Sequence, residues 1–540
     1  RIADNEFNVN NKVVFPLEVH NSELYDCCFD GRYRTLYGYR FASNSVIYAC
    51  NNHNLTLSLQ RLFACRLPAN EGDLDDTSIL KYENALLSNQ RKVFTALFNQ
   101  VKRTLEEHGC DSDFGLDIDS CLAILKELPH PKLKLRKRTI IEIETGSNKH
   151  IYYGSVNWTP YVVLKMKPDE RAKFGKIGRI VVDLAVPASL QGAVLVTHIK
   201  ERFGNKWLYF GEGEYKCRYI FIPKPTPSDI MEAFNAIWYT TFYLTIVVFS
   251  DDACIGMNIN GTIKCANLDL KSADSSQTPF VLELMLRSFG VPKDYIDIYN
   301  TQFYAPAIIK SNTAFNNQYF RTFVEPINPT LQSGSTLTTL THCYTYLVIA
   351  HYMSLQHTEF HNIPTAFENC GYQASLEYCE IIEDLQFLKH SPVKNKKGEY
   401  VAILNPGVIY RASGTCRGDL PGKGDIEKRA IEFQHNLMTG LLSGIDNPTL
   451  NQLNPLVTTK TTISDEFELT DHVNTFNFID YSGVHKEEIT DDDLFRRYRF
   501  TPNDLILIHH DCKCTYGETT YSSRVEKILS KDYGLSVPIV

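Results

Sequence analysis

Two carboxylate groupings lie close together in VVFSDDACIGMNINGTIKCANLDLKSADSSQ, residues 247 to 277. Asp251 and Asp252 interrupt one apolar, β-branched run. Asp269 and Asp274 close another, in the pattern Asp-x4-Asp. LTIVVF (244 to 249) has the composition of a buried strand, and ACIGMNI resumes after the aspartates, so the pair is expected at a hairpin tip. Asn260-Gly261 follows. Asn-Gly suits positive φ at both central positions of a two-residue turn and predicts a second hairpin. TIKCANLDL then runs back as a third strand. Such a meander is expected to bring Asp251, Asp252 and Asp269 within reach of one ion. Carboxylates packed that closely repel and favour protonation. Hard divalent cations relieve this: Mg²⁺ takes oxygen ligands and leaves positions for phosphate oxygens. Two such ions about 4 Å apart stabilise the attacking and leaving oxygens of a phosphoryl displacement. Taken alone, SDD reads as an exposed acidic turn; the paired strand ending in Asp-x4-Asp sets metal binding level with that reading.

Two more segments fit that chemistry. In LQSGSTLTTLTHCYTYLVIAHY (331 to 352) a loop with Ser333 and Gly334 leads through Thr338 into an apolar helix. Glycine there permits close backbone approach to a ligand, and the small hydroxyls can bond a sugar or base edge. The plain alternative is a capped helix N-terminus. In LKMKPDERAKFGKIGRIVVDL (164 to 184), Lys165, Lys167, Arg171, Lys173, Lys176 and Arg179 precede an apolar strand. Arginine forks and lysine point charges are natural receptors for a triphosphate. A solvated basic hairpin is the alternative.

The elements that must position these residues belong to a chain of 540 residues, long enough for several lobes. Its composition, 43% hydrophobic and 22% charged, excludes wholesale disorder, and a net charge of −8 excludes a uniformly basic nucleic-acid binder. Fifteen scattered cysteines show no framework spacing and point to a reducing compartment. The opening RIADNEFNVNN has no charged-then-apolar leader pattern. The uncharged stretch 233 to 250 falls short of the roughly 20 apolar residues of a membrane span and reads as a helix running into a buried strand. Helices are expected at 80–108, from a Ser228 cap into PSDIMEAFNAIWYTT, and at 280–289, 335–356, 372–386 and 426–443. Strands are expected at 151–165 and 179–187. The irregular interleaving predicts an α+β fold.

Together the segments resemble the motif set of viral RNA-dependent RNA polymerases. LDLKSAD resembles motif A, FSDDA motif C, SGSTLTTLTH motif B, GKIGRIV with its basic neighbours motif F, and FLKH (387 to 390) motif E. The matches cover residues 165 to 390. Their order is C, A, B, which is similar to birnaviruses and to the permuted tetraviruses of insects, Thosea asigna virus and relatives. The SDD favours the latter, since birnaviruses typically carry ADN there. The resemblance implies a right-hand architecture with permuted palm connectivity. It places fingers over 1–235, palm over 236–395 with a fingers insertion near 281–330, and thumb over 396–540. It implies template-directed RNA synthesis for a positive-strand RNA virus in the host cytoplasm. RNA template and product, ribonucleoside triphosphates and a protein primer, the chain itself or a separate one, would be the partners, with Mg²⁺ or Mn²⁺. It assigns metal and catalysis to Asp251, Asp252 and Asp269, and ribose or triphosphate contacts to Asp274, Ser333, Gly334, Thr338, Lys167, Lys176 and Arg179. Lys389 falls to the primer strand. Two positions depart from the pattern. His342 stands where motif B carries Asn, and residues 366–386 hold no lysine for motif D, leaving Lys389, Lys394 or water as the acid. A two-metal nuclease and a non-catalytic viral structural protein are the competing readings.

Other signals are weaker. His357 and His361 in HTEFH lack a glutamate partner, and HHDCKC (509 to 514) offers zinc-type ligands without a second pair. GDLPGKGD lacks the residues of a P-loop. The basic run at 132–138 reads as a solvated face or, in a polymerase, as channel lining.

Overall fold

The computed structural model describes residues 75–111, 186–293, 337–414, 426–455, 485–513 and 520–534. It also describes 17–19, 41–42, 162–167, 178–183, 296–297, 307–315, 318–326 and the single residues Ser58, Arg66 and Leu331. The expected features at Ser333, Gly334, Lys176, 132–138 and Cys514 lie outside the described residues, as does most of the expected strand 151–165.

The carboxylates belong to a six-stranded sheet whose spatial order follows the chain: β1 (Leu208–Phe210), β2 (Cys217–Phe221), β3 (Leu244–Phe249), β4 (Asp252–Ile259), β5 (Thr262–Leu270) and β6 (Ala374–Cys379). Only β2 and β3 run parallel. A parallel pair needs a crossover, supplied by helix α2 (Pro227–Trp238). Its N-cap is Thr226 in a reciprocal capping box with Asp229, two residues earlier than the expected Ser228 cap, because Pro227 and Ser228 already lie in the first turn. Alternation along the strands sorts the two faces. Val247 and Cys254 pack on Ile230, Phe234 and Ile237 of α2. Gly256 is required there: a Cβ would lie 2.5 Å from the Ile237 carbonyl oxygen.

Ile246, Val248, Ala253 and Ile255 face the other way, into a core shared with α1 (Asp76–Glu107) and α3 (Thr338–Gln356). Fourteen consecutive or near-consecutive residues of α3, from Leu340 to Ser354, are buried, so this helix passes through the core rather than over its surface.

Both expected hairpins are present. The Phe249–Asp252 pair closes the SDD turn with Ser250 at φ 57, and Ile259–Thr262 closes a turn with Asn260 at φ 53 and Gly261 at φ 83. The expected helix at 372–386 is instead strand β6 followed by a short 3₁₀ turn (Ile382–Asp384). ASLEYC alternates along its length, and the open edge of β5 takes it as a partner, so tertiary pairing overrides local helix preference. The expected strand 179–187 ends at Asp183, and a helix begins at Val186. The mixture of helices with largely antiparallel sheet is α+β.

A five-stranded sheet joins Leu17–Val19, Gln318–Pro326, Ala307–Phe315, Val162–Met166 and Ile180–Asp183 in that order. A further core, including Val408, Phe433, Leu437, Phe495, Ile508 and Ile528, is built largely from the C-terminal part of the chain, with Phe41 added from the N-terminal part. Its last helix, α4 (Ser523–Tyr533), packs against Pro406–Ala412. Among the described residues no helix is long and apolar enough to cross a membrane.

Candidate active site

Backbone pairing fixes the position of two of the three aspartates. Asp252 opens β4 directly opposite Asp269 on β5, which is itself paired on its other side with Ser375 of β6. Directly opposite residues project to the same face of a sheet with Cβ atoms about 5 Å apart. Asp251 occupies the turn, and its backbone carbonyl accepts the Tyr346 hydroxyl at 2.5 Å. That buried phenol registers all three carboxylates: burial, then the charges of Asp269, Asp251 and Asp252, push its pKa well above the ordinary value. Tyr346 lies on α3 under the turn, and sequence reasoning missed it. Its signal was its position one helical turn beyond His342 on the same face.

Asp252 Oδ2 accepts the backbone N–H of Leu388 at 2.9 Å. Burial first, and then the charge of Asp251, raise the Asp252 carboxyl to about 7, against the opposing pull of that N–H and of Lys389. Among the described residues no group of three or more His, Cys, Asp or Glu side chains is gathered that could hold a metal ion. The donor chemistry nonetheless suits Mg²⁺ or Mn²⁺. These are hard oxygens, and magnesium sites commonly combine one or two carboxylates with substrate phosphates rather than an all-protein cage.

Asp274, the second Asp of Asp-x4-Asp, meets His342. His342 Nε2 lies 2.8 Å from Asp274 Oδ1. On its other side, Nδ1 lies 3.1 Å from Gln277 Nε2, which also donates to Thr345 Oγ1 at 2.9 Å. Tyr372 donates its hydroxyl to Gln277 Oε1 at 2.7 Å, which sets the amide orientation. An amide nitrogen only donates, so Nδ1 accepts, and the imidazole proton sits on Nε2, aimed at the Asp274 carboxylate. Asp274 and His342 thus form an acceptor–donor pair between the segment after β5 and α3.

Thr338 is the first residue of α3, and its buried Oγ1 has no hydrogen-bond partner among the described residues. Lys167 and Arg179 are neighbours just beyond the paired ends of two strands of the five-stranded sheet, with the Lys167 N–H donating to the Arg179 carbonyl at 2.9 Å. Lys389 Nζ donates to the Asp532 carbonyl at 2.5 Å and lies 4.1 Å over the Tyr533 ring. The histidines of HTEFH do not converge: His357 caps α3 and stacks on Tyr215 at 3.6 Å, while exposed His361 pairs with Glu359. At 509–513, His509 bonds Thr449, and buried Cys512 meets the Tyr410 hydroxyl.

No protein-family description matches this chain, and no curated protein matches it. Among solved structures, the RNA polymerase VP1 of Infectious Pancreatic Necrosis Virus is similar at 11% identity and a TM-score of 0.38, covering 77% of this chain and 62% of that one. A birnavirus VP1–VP3 complex is similar at 11% identity and a TM-score of 0.37, covering 80% of this chain and 54% of that one. This chain thus spans less than two thirds of either. Likenesses of that size leave the activity to be read from the site residues themselves.

Proposed function

We propose that this chain is a viral RNA-directed RNA polymerase with a permuted palm, a nucleotidyltransferase that joins ribonucleoside triphosphates along an RNA template. One observation carries the reading: Asp252 and Asp269 face each other on adjacent strands joined by the Asn260-Gly261 turn, while Asp274 reaches His342. In this reading the 3′-hydroxyl of the growing strand attacks an α-phosphate and pyrophosphate leaves. Asp251, Asp252 and Asp269 would hold Mg²⁺ or Mn²⁺, which when bound supplies positive charge to the phosphate oxygens. Asp274, oriented by the His342 N–H, contacts the ribose. Thr338, with Ser333 and Gly334, contacts sugar and template. Lys167, Lys176 and Arg179 receive the triphosphate, and Lys389 lies toward the primer strand. The fingers, palm and thumb boundaries, the cytoplasmic setting, a protein primer and the affinity to permuted tetraviruses belong to the same proposal.

The test is extension of a labelled RNA primer on an RNA template with the four nucleotides and Mg²⁺. Wild type should lengthen the primer, and Asp251→Ala and Asp269→Ala should not, with thermal melts showing both folded. Full activity in both variants sinks the reading. Shortening of the RNA instead favours a two-metal nuclease, and absence of nucleotide binding by calorimetry favours a structural protein.

A further inference from the structure

The segment 387–390 is a two-residue turn with unusual occupants. Phe387 and His390 exchange backbone hydrogen bonds of 2.9 Å in both directions. Between them Leu388 and Lys389 both have positive φ, 51 and 60. That turn geometry favours Asn and Gly, because a Cβ crowds the backbone in the left-handed region. Two bulky residues persist there only where the surroundings over-determine the conformation, and such strain gathers at functional sites.

The surroundings do over-determine it. The His390 ring donates from Nδ1 to the Leu388 carbonyl at 2.8 Å, and the Asn405 N–H donates to the Lys389 carbonyl at 2.7 Å. The Lys389 side chain is drawn onto the end of α4, where it meets the Asp532 carbonyl and the Tyr533 ring. That end is itself fixed, since the buried Asp532 carboxylate accepts from Arg497 at 3.0 Å, Tyr498 at 2.6 Å and the Gly407 N–H at 2.9 Å. The outcome of the forced turn is that the Leu388 N–H is left to donate outside the turn, to Asp252 Oδ2.

We propose that the turn of Leu388 and Lys389 is the positioning element for Asp252, and that α4 locks it through Lys389. Lys389 on this account is a positioning residue, acting through the backbone N–H beside it rather than through its own ammonium. The inference rests on the polymerase reading, in which Asp252 serves the reaction.

Leu388→Gly and Leu388→Val both remove the leucine side chain, but only glycine accepts φ 51 without strain. Leu388→Val should lower kcat for nucleotide addition at least tenfold below Leu388→Gly, with KM for nucleotide and RNA the same in both. Lys389→Met should lower kcat while leaving KM for RNA unchanged; a rise in KM for RNA alone would mean the ammonium grips the strand directly and overturns the assignment. A second measurement needs no activity. In Asp252→Ala, hydrogen exchange at the Leu388 amide should quicken at least tenfold, with neighbouring amides of β4 unchanged. Unchanged exchange there overturns the proposed contact. A wild-type chain that extends no RNA overturns the polymerase reading together with this one. Extension by wild type with equal kcat in the two Leu388 variants overturns this one alone.

Discussion

Two acidic groups flank the 387–390 turn, and the fold treats them in opposite ways. On the α4 side, Asp384 is paired with Arg499 and with Lys531 at 3.1 Å, and Asp532 with the wholly buried Arg497 at 3.0 Å. Burial alone would raise the Asp384 carboxyl, but Arg499 and Lys531 overcome it and hold it at about 2. On the sheet side, Asp251, Asp252 and Asp269 crowd round one phenol, and Asp252 is lifted to about 7. Similar side chains thus end with pKa values on opposite sides of the ordinary carboxylate. The paired group acts as a clasp between the C-terminal helix and the strand–turn region. On the sheet side, burial and the charge of Asp251 instead work against ionisation of Asp252, and perturbed groups of this kind concentrate at functional sites.

The contrast can be broken by substitution. Asp269→Ala should cost on the order of a thousandfold or more in nucleotide addition, with a melting temperature near that of wild type. Asp532→Ala should do the reverse in kind: stripping the partner from buried Arg497 should cost about 3–5 kcal/mol of unfolding free energy, read from denaturant titration. If both variants lose stability alike, the division into clasp and reactive cluster is wrong.

Acidity sharpens it further. Asp252 holds its proton more tightly folded (about 7) than in the ordinary state (3.8), so its contribution to stability falls as pH rises from 4 to 7. Asp384 is shifted down, so its contribution is complete above pH 4 and disappears toward pH 2. Asp252→Asn should therefore gain stability over wild type at pH 7.5 and much less at pH 5. An equal difference at both pH values would remove Asp252 from the crowded group. The smallest effect is at the ribose end. His342→Leu should weaken preference for a ribonucleotide over its 2′-deoxy analogue about tenfold, the worth of one hydrogen bond, and His342→Asn should restore most of it. Unchanged preference in His342→Leu would detach Asp274 from sugar recognition.

Much of the sheet that carries the aspartates was legible because its signals are local. Asn260-Gly261 encodes its turn in two residues, LTIVVF and ACIGMNI encode strands by composition, and TLTHCYTYLVIAHY encodes a buried helix by lacking a polar face. The clasp was not legible, because it joins residues as far apart as Asp384 and Lys531 whose charges, taken singly, read as surface. The same limit hid His342 as the partner of Asp274, since 68 residues separate them and only the fold brings Nε2 to the carboxylate. β6 was misread as helix because an edge strand is chosen by its neighbour as much as by its own residues.

Both residues of the Asn260-Gly261 turn are exposed, and a Cβ on Gly261 would meet nothing within 4 Å. Loop tips of this kind accept added chain, and doubling a loop costs only about 0.6 kcal/mol in closure entropy. A whole domain could be spliced there, or the chain cut and new termini opened, with Asp252 and Asp269 still held in register by the strands beneath. The connection between these two carboxylates is thus the most replaceable part of the link between them, a place where evolution or an engineer can rewire the order of the chain while the geometry stays put.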